Sequence, residues 1–112
     1  MTGPAVPSVS VAELPTDAVL LDVREGDEWA AGHAPDAQHI PMSELTGRLH
    51  ELPEDADPLY VVCRSGGRSG RVVAYLAQQG HPVVNVDGGM QAWEAMGKPL
   101  VGERDGVPPV VI

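Results

Sequence analysis

A short apolar run that leads through a glycine-rich loop into an amphipathic stretch constrains the fold of this chain more than any other feature. The apolar run is Leu59–Val62, the loop is Cys63–Arg68, and the amphipathic stretch is Ser69–Gln79. Four apolar residues bounded by turn signals are typical of a buried strand, and apolar residues at helical spacing predict a helix with one buried face. The predicted face consists of Val72, Val73, Leu76 and Ala77. The segment therefore predicts a central strand, a tight loop and a helix.

The same alternation of strand and helix signals extends along the rest of the chain. Further strands are predicted at Ala18–Val23, Gln38–Ile40 and Val83–Val86, and helical segments at Ser10–Glu13, Glu25–Ala31, Ser43–Leu49 and Gly89–Met96. Such alternation predicts an α/β domain with a mostly parallel sheet. Ligands of such sheets bind outside the carboxyl ends of the strands. Asp22 and Arg24 lie at the carboxyl end of one strand and Cys63 lies at that of another, so we expect these segments to meet there.

Cys63, the single cysteine of the chain, is predicted to face the amino end of the following helix. Helix N–H groups and nearby cations lower the pKa of a thiol and favour the nucleophilic thiolate. Gly66 and Gly67 allow a tightly curled backbone whose N–H groups form a concave anion site. Arg68 is expected to close this site or to bind an incoming oxyanion through its planar fork. A buried inert thiol is the usual state of a free cysteine, but this surrounding sequence favours a reactive one.

The charge pattern agrees with an anion site near Cys63. The chain has 16 acidic and 7 basic residues and a formal net charge of −9, yet no acidic residue lies between Pro58 and Val86. Three arginines, Arg64, Arg68 and Arg71, fall in this segment, which predicts a cationic window that attracts small anions. The net charge argues against general nucleic-acid binding.

The composition also limits the class of protein. One cysteine cannot form an intramolecular disulfide, and no cluster of Cys and His has metal-ligand spacing. No apolar run approaches the roughly 18 residues that a membrane helix needs. We therefore expect a cytoplasmic protein without a metal, a cofactor or a membrane segment.

Three ordered blocks of the sequence, one upstream of the Cys63 loop in two parts, the loop itself and one downstream, resemble the single-domain rhodanese family of thiosulfate sulfurtransferases. The loop Cys63–Ser69 matches that family's C-R-x-G-x-R motif, and Leu21–Glu25 matches its D-V-R-E element. The segment 28–41 is similar to the family's E-W…G-H…I-P element, and the segment 86–99 is similar to its G-G…W…G-x-P ending. The resemblance implies a three-layer α/β/α fold with a mostly parallel sheet of about five strands. The resemblance covers a rhodanese-like domain at 9–100, and the proline content of the flanking segments predicts a flexible leader at 1–8 and an irregular tail at 101–112.

The resemblance implies a double-displacement mechanism. The Cys63 thiolate would attack the outer sulfur of thiosulfate or of a persulfide donor, and a thiophilic acceptor such as cyanide, a thiol or a protein would then remove the sulfur. The expected partners are therefore small sulfur-containing anions and a sulfur acceptor. The implied loop residues that bind the donor are Arg64, Ser65, Gly66, Gly67, Arg68 and Ser69. Asp22 and Arg24 are expected to brace the loop by hydrogen bonding, and Arg71 to be either a solvated helix residue or part of the site.

Two other functions stay open at this stage. Phosphatases and arsenate reductases with a rhodanese-like fold place five residues between the cysteine and the arginine of the loop, whereas this chain has four, Arg64–Gly67. The shorter loop favours sulfur over phosphate or arsenate. A regulatory module or a sulfur carrier for one dedicated partner is the second alternative, and regulatory modules of this fold usually lack the cysteine that this chain retains.

Overall fold

The computed structural model describes residues 6–112, and within this range five parallel strands form one sheet. The strands are β1 (Ser8–Ser10), β2 (Leu20–Asp22), β3 (Gln38–His39), β4 (Leu59–Val62) and β5 (Val83–Asp87). The α-helices are α1 (Gly26–Ala31), α2 (Gly67–Gln78) and α3 (Gly89–Ala95). Three short 3-10 segments cover Val11–Glu13, Met42–Gly47 and Leu49–Glu51. The spatial order β1-β5-β4-β2-β3 places β4 in the centre of the sheet, as predicted.

Side chains alternate between the two faces of the sheet and build a core on each face. The core under α2 contains strand residues such as Leu21, Val61 and Val83 together with Val73 and Leu76 of the helix. The core on the opposite face is formed mainly by Val11, Leu20, Val62, Val86 and Met90. Helical segments thus cover both faces, which confirms the three-layer α/β/α architecture.

Two local predictions about helices are wrong. The segment Ser43–Leu49 forms 3-10 turns rather than one capped α-helix, and the Ser43 hydroxyl donates to Glu25 Oε1 at 2.9 Å instead of capping a helix. In α2, Ala77 is exposed. The small side chain of Ser69 occupies the buried face in its place.

Both ends of the described chain contact the rest of the domain. β1 begins at Ser8 and pairs with β5, so strand structure starts inside the predicted leader, whose residues 1–5 lie outside the described range. The C-terminal tail, residues 101–112, packs on the body of the protein. Val101 pairs with His33 in an isolated bridge, and the Val110 amide donates to Ala31 O at 2.9 Å. No helix among residues 6–112 is long and apolar enough to cross a bilayer.

Candidate active site

Cys63 lies directly after β4, in the loop that connects the central strand to α2. The residue is 1% exposed and belongs to the core under α2. Its position at the carboxyl edge of the sheet, beside the amino end of a twelve-residue helix, is the one predicted from the sequence.

Neutral hydrogen-bond donors surround the sulfur atom. The Gly66 amide donates to Cys63 Sγ at 3.1 Å, and the Ser69 hydroxyl lies 3.2 Å from the same atom. Burial has the largest single effect on the pKa of Cys63 and raises it, but the Ser69 side chain and the backbone amides of Ser69, Gly66 and Ser65 together lower the pKa below its ordinary value. These donors favour the thiolate, so the site can present a nucleophilic sulfur.

The loop takes its shape from Gly66, which has φ +114° and caps the amino end of α2. This left-handed conformation is accessible to glycine without strain, and it directs the Gly66 amide at the sulfur. A Cβ at Gly66 would lie 3.5 Å from the Gly88 nitrogen. Gly67 behaves differently from the prediction, because it is the first residue of α2, lacks a positive φ and has open space around its Cα.

The amino end of α3 holds the start of the loop. The amides of Met90 and Gln91 donate to the carbonyl oxygens of Cys63 and Arg64 at 2.8 and 2.9 Å. Gly89 permits this approach, since a Cβ there would lie 2.7 Å from the Arg64 carbonyl carbon. Gly88 and Gly89 stand at the start of α3, and their contact with the loop has no signal in the sequence.

Asn85 of β5 is a site residue that sequence reasoning missed. Its side-chain oxygen accepts from the Ser69 hydroxyl at 2.6 Å, and its amide nitrogen donates to Gly66 O at 3.2 Å. Asn85 therefore contacts both residues that donate hydrogen bonds to Cys63. An asparagine inside an otherwise apolar strand was the available signal, because a buried polar side chain needs a partner.

The prediction of a purely cationic segment around Cys63 is wrong in one respect, because the carboxylate of Glu28 from α1 lies beside Arg68. Both nitrogens of the Arg68 fork donate to the Glu28 carboxylate, at 2.6 and 2.8 Å. The Arg68 hydrogen bond is the main reason that the pKa of Glu28 is lowered. The sequence placed no acidic residue near the loop, but folding brings one there from 40 positions away. The contact supports a role for Arg68 in shaping the loop.

The other two arginines of the segment are exposed. Arg64 is exposed, and its Nε donates to the main-chain oxygen of Ile112 at 3.0 Å. With the Gln91 amide turned so that its oxygen faces Arg64, that oxygen accepts from the two terminal nitrogens of Arg64 at 3.0 and 3.1 Å. Arg71 is exposed on α2 and forms no salt bridge within residues 6–112.

Asp22 and Arg24 form a completely buried ion pair beside the site. Arg24 Nη2 lies 2.7 Å from Asp22 Oδ2 and donates to Gly32 O at 2.8 Å. Direct hydrogen bonds from this pair to residues 63–69, which were expected, do not occur in the described part of the chain. The pair instead fixes the end of α1 through the Arg24–Gly32 hydrogen bond. The backbone amide of Val23, which lies between the two residues, donates to the carbonyl oxygen of Val62, the residue before Cys63, at 3.0 Å.

His33 has a structural position away from Cys63. Its ring stacks on Trp29 with 3.5 Å between centroids, and its Nε2 lies 2.9 Å from Glu103 Oε1 in the tail. These contacts place His33 between Trp29 of α1 and the tail, where the ring packs and forms a hydrogen bond.

Comparison with known proteins gives a consistent result. The family model of the rhodanese-like domain matches residues 10–96. YtwF of Bacillus subtilis (strain 168), provisionally named a sulfurtransferase, is 46% identical over 80 residues, which cover 71% of this chain and 77% of that protein. A protein of Allochromatium vinosum named sulfurtransferase is 44% identical over 86 residues, with coverage of 76% and 79%. The crystal structure of a rhodanese-related protein from Thermoplasma volcanium superposes with a TM-score of 0.79 at 36% identity and covers 85% of this chain and 97% of that one. The chain belongs to the rhodanese-like domain family.

Proposed function

We propose that this protein is a sulfurtransferase in which Cys63 carries sulfur as a persulfide. The observation that carries the proposal is the ring of donors around Cys63 Sγ, which includes the Gly66 amide at 3.1 Å and the Ser69 hydroxyl at 3.2 Å. Donors fixed in place can stabilise a sulfur anion without reorganising. The names of the relatives from Bacillus subtilis and Allochromatium vinosum support the same assignment.

The proposed reaction has two displacements at sulfur. The Cys63 thiolate attacks the outer sulfur of thiosulfate or of a persulfide, the S–S bond of the donor breaks, and sulfite or a thiolate leaves with the electron pair. A thiophile such as cyanide, a thiol or a partner protein then attacks the outer sulfur of the Cys63 persulfide, and the Cys63 thiolate leaves. Each step is a simple displacement by a nucleophile. The chain has one cysteine, so the acceptor comes from outside.

The burial of Cys63 favours sulfur donors that present a terminal, unhindered sulfur atom. Cys63 is 1% exposed, so only a terminal sulfur atom reaches it without rearrangement of the loop. The backbone amides of Ser65, Gly66 and Ser69 are the groups that would bind the transferred sulfur, and Arg68 would bind donor oxygens while it remains paired with Glu28. We also infer a reducing cytoplasm as the working compartment, because the sulfur must remain free to react.

The second candidate is a sulfur carrier that delivers its persulfide to one dedicated protein. The burial of Cys63 favours this candidate, because a persulfide in this position is shielded from small thiols in solution. In that case the protein loads with sulfur but turns over slowly with cyanide. Both candidates share the Cys63 persulfide and differ in the acceptor.

Intact-protein mass spectrometry after exposure to thiosulfate tests the proposal. We expect the wild-type protein to gain one sulfur atom, cyanide to remove it, and Cys63→Ser to gain none. Saturable turnover of thiosulfate and cyanide then favours the enzyme, and loading without turnover favours the carrier. A wild-type protein that gains no sulfur from thiosulfate or from a small persulfide would overturn both candidates.

A further inference from the structure

The Ser69 hydroxyl has one proton but faces two acceptors. Its oxygen lies 3.2 Å from Cys63 Sγ and 2.6 Å from Asn85 Oδ1. The orientation of the Asn85 amide is determined on its other side, where Nδ2 donates to Gly66 O at 3.2 Å. A carboxamide oxygen accepts hydrogen bonds and cannot donate them. Asn85 and Cys63 therefore compete for the same hydroxyl proton.

The outcome of this competition depends on the chemical state of Cys63. In the thiol form, S–H can donate to Ser69 Oγ while the Ser69 hydroxyl donates to Asn85. When the thiol proton leaves to solvent, Sγ becomes an anion, and charged acceptors form the stronger hydrogen bonds. The Ser69 hydroxyl then turns to Sγ. In a persulfide the charge lies on the outer sulfur, so Sγ is a weak acceptor and the hydroxyl returns to Asn85.

Burial makes the competition significant. Ser69 is 0% exposed and Asn85 is 7% exposed, and both lie between the central strands and α2. Bulk water cannot readily replace whichever hydrogen bond is lost, so the polar groups must satisfy one another.

We propose that Asn85 is a positioning residue for sulfur transfer, which holds the Ser69 hydroxyl while Cys63 is a thiol or a persulfide and releases it to the thiolate. This inference rests on the proposed function only for the persulfide state. Asn85 acts through Ser69 and moderates how strongly the thiolate is stabilised. A less stabilised thiolate is a better nucleophile toward the donor but a poorer leaving group toward the acceptor, so Asn85 adjusts the balance between the two displacements.

The pH dependence of Cys63 alkylation by iodoacetamide tests this role, with Asn85→Leu, Ser69→Ala and the double variant compared with wild type. Removal of the Ser69 donor is expected to raise the midpoint of the alkylation profile by up to about one pH unit. Asn85→Leu is expected to shift the midpoint in the opposite direction, because Ser69 then donates to the thiolate without a competitor. The double variant should repeat the profile of Ser69→Ala.

The direction in which Asn85→Leu shifts the alkylation midpoint distinguishes a positioning role of Asn85 from a role that only supports the loop structure. If Asn85→Leu raises the midpoint or leaves it unchanged, or if the double variant differs from Ser69→Ala, the proposal is wrong. Asn85→Ala provides the same comparison with a smaller side chain if Asn85→Leu does not fold. Alkylation needs no sulfur donor, so its result is independent of whether the protein transfers sulfur from thiosulfate.

Discussion

The buried ion pair of Asp22 and Arg24 is a single contact that stabilises the fold beside the active site. Both side chains are 0% exposed, and Arg24 also holds the carbonyl of Gly32 at the end of α1. Removing one partner of a buried ion pair leaves an uncompensated charge, which typically costs about 3–5 kcal/mol. We expect Asp22→Ala to lower the free energy of unfolding by that amount, measured by urea denaturation, and to lower activity with it.

Glu44→Ala is the matched control for this prediction. It removes a carboxylate from the Arg48–Glu44 pair, in which Glu44 is 57% exposed, and exposed pairs contribute little to stability. An Asp22→Ala protein that melts like wild type but has lost activity would contradict the structural role of Asp22.

The pairing of Glu28 with Arg68 predicts a dependence of stability on pH. Because the Arg68 hydrogen bond lowers the pKa of Glu28, the folded state stabilises the carboxylate relative to the unfolded state. This contribution is fully present above the ordinary carboxyl pKa of 4.5 and is lost as the pH falls through the lower, folded pKa. We expect Glu28→Gln to be less stable than wild type at neutral pH, and the difference in urea midpoint to narrow as the pH falls below about 4. A difference that stays constant over this range would show that the ion pair does not stabilise the fold.

The two arginines of α2 differ in their contacts and should differ in function. Arg68 is half-buried and paired beside the loop, whereas Arg71 is exposed. We expect Arg68→Ala to raise the KM for thiosulfate and to reduce kcat/KM more than Arg71→Ala does, as measured by steady-state kinetics. Equal effects of the two substitutions would remove the assignment of Arg68 to the site.

Single residues also show where sequence reasoning reaches its limit. Cys63 was predictable because its strand, loop and helix are contiguous in the chain. Glu28 and Asn85 were not predictable, because their partners Arg68 and Ser69 lie 40 and 16 positions away in the sequence. Contacts over such separations depend on how the elements pack. Local patterns contain no information about such distances.

At the scale of elements, the periodic signals predicted β2, β3, β4, β5, α2 and α3 well. β4 and β5 are apolar segments that begin directly after a proline, and a glycine follows within two residues of the ends of α2 and α3. β1 was missed because Ser8–Ser10 is only three residues long with a single apolar residue, and it forms through its pairing with β5. The 3-10 segments after β3 were mistaken for a helix because their composition is similar to that of a helix.

The junction between the loop and α3 gives a prediction at this scale. Gly89 has φ +55°, and a Cβ there would meet the backbone of Cys63 and Arg64. Gly97 has φ +69° with open space around it, so Gly97→Ala measures the cost of the left-handed conformation alone, about 1–2 kcal/mol. We expect Gly89→Ala to cost more than Gly97→Ala in urea denaturation and to slow alkylation of Cys63, whereas Gly97→Ala leaves alkylation unchanged. Equal costs would mean that α3 does not hold the loop.

At the scale of the whole molecule, the C-terminal tail connects regions that are distant in sequence. Glu103 contacts His33, the Val111 amide donates to Glu94 Oε2 of α3 at 3.0 Å, and Ile112 accepts from Arg64 at the rim of the site. The sequence predicted an irregular tail at 101–112 without indicating where its apolar end lies. Packing occurs because Gly32 leaves room for the backbone of Val110, which no pattern in the tail itself reveals.

Substitution of Gly32 therefore tests whether the tail is part of the folded unit. Gly32 has φ 175°, an extended conformation that any residue adopts, so Gly32→Ala introduces no backbone strain. Its Cβ would nevertheless lie within 2.9 Å of Val110 backbone atoms, and the tail must move. We expect faster hydrogen exchange at the Val110 and Val111 amides, which lose their acceptors Ala31 and Glu94.

Gly26→Ala is the control for Gly32→Ala, because Gly26 opens the same helix and has no atom near the position of a Cβ. We expect exchange in the tail to be unchanged in Gly26→Ala, and exchange in β4 to be unchanged in both variants, because β4 pairs with β2 and β5 and forms no backbone hydrogen bond with residues 101–112. If the Val110 and Val111 amides stay protected from exchange in Gly32→Ala, the position of the tail does not depend on a glycine at position 32. If the β4 amides also exchange faster, the packing of the tail stabilises the central sheet, and the contact of Ile112 with Arg64 is part of the cooperative fold.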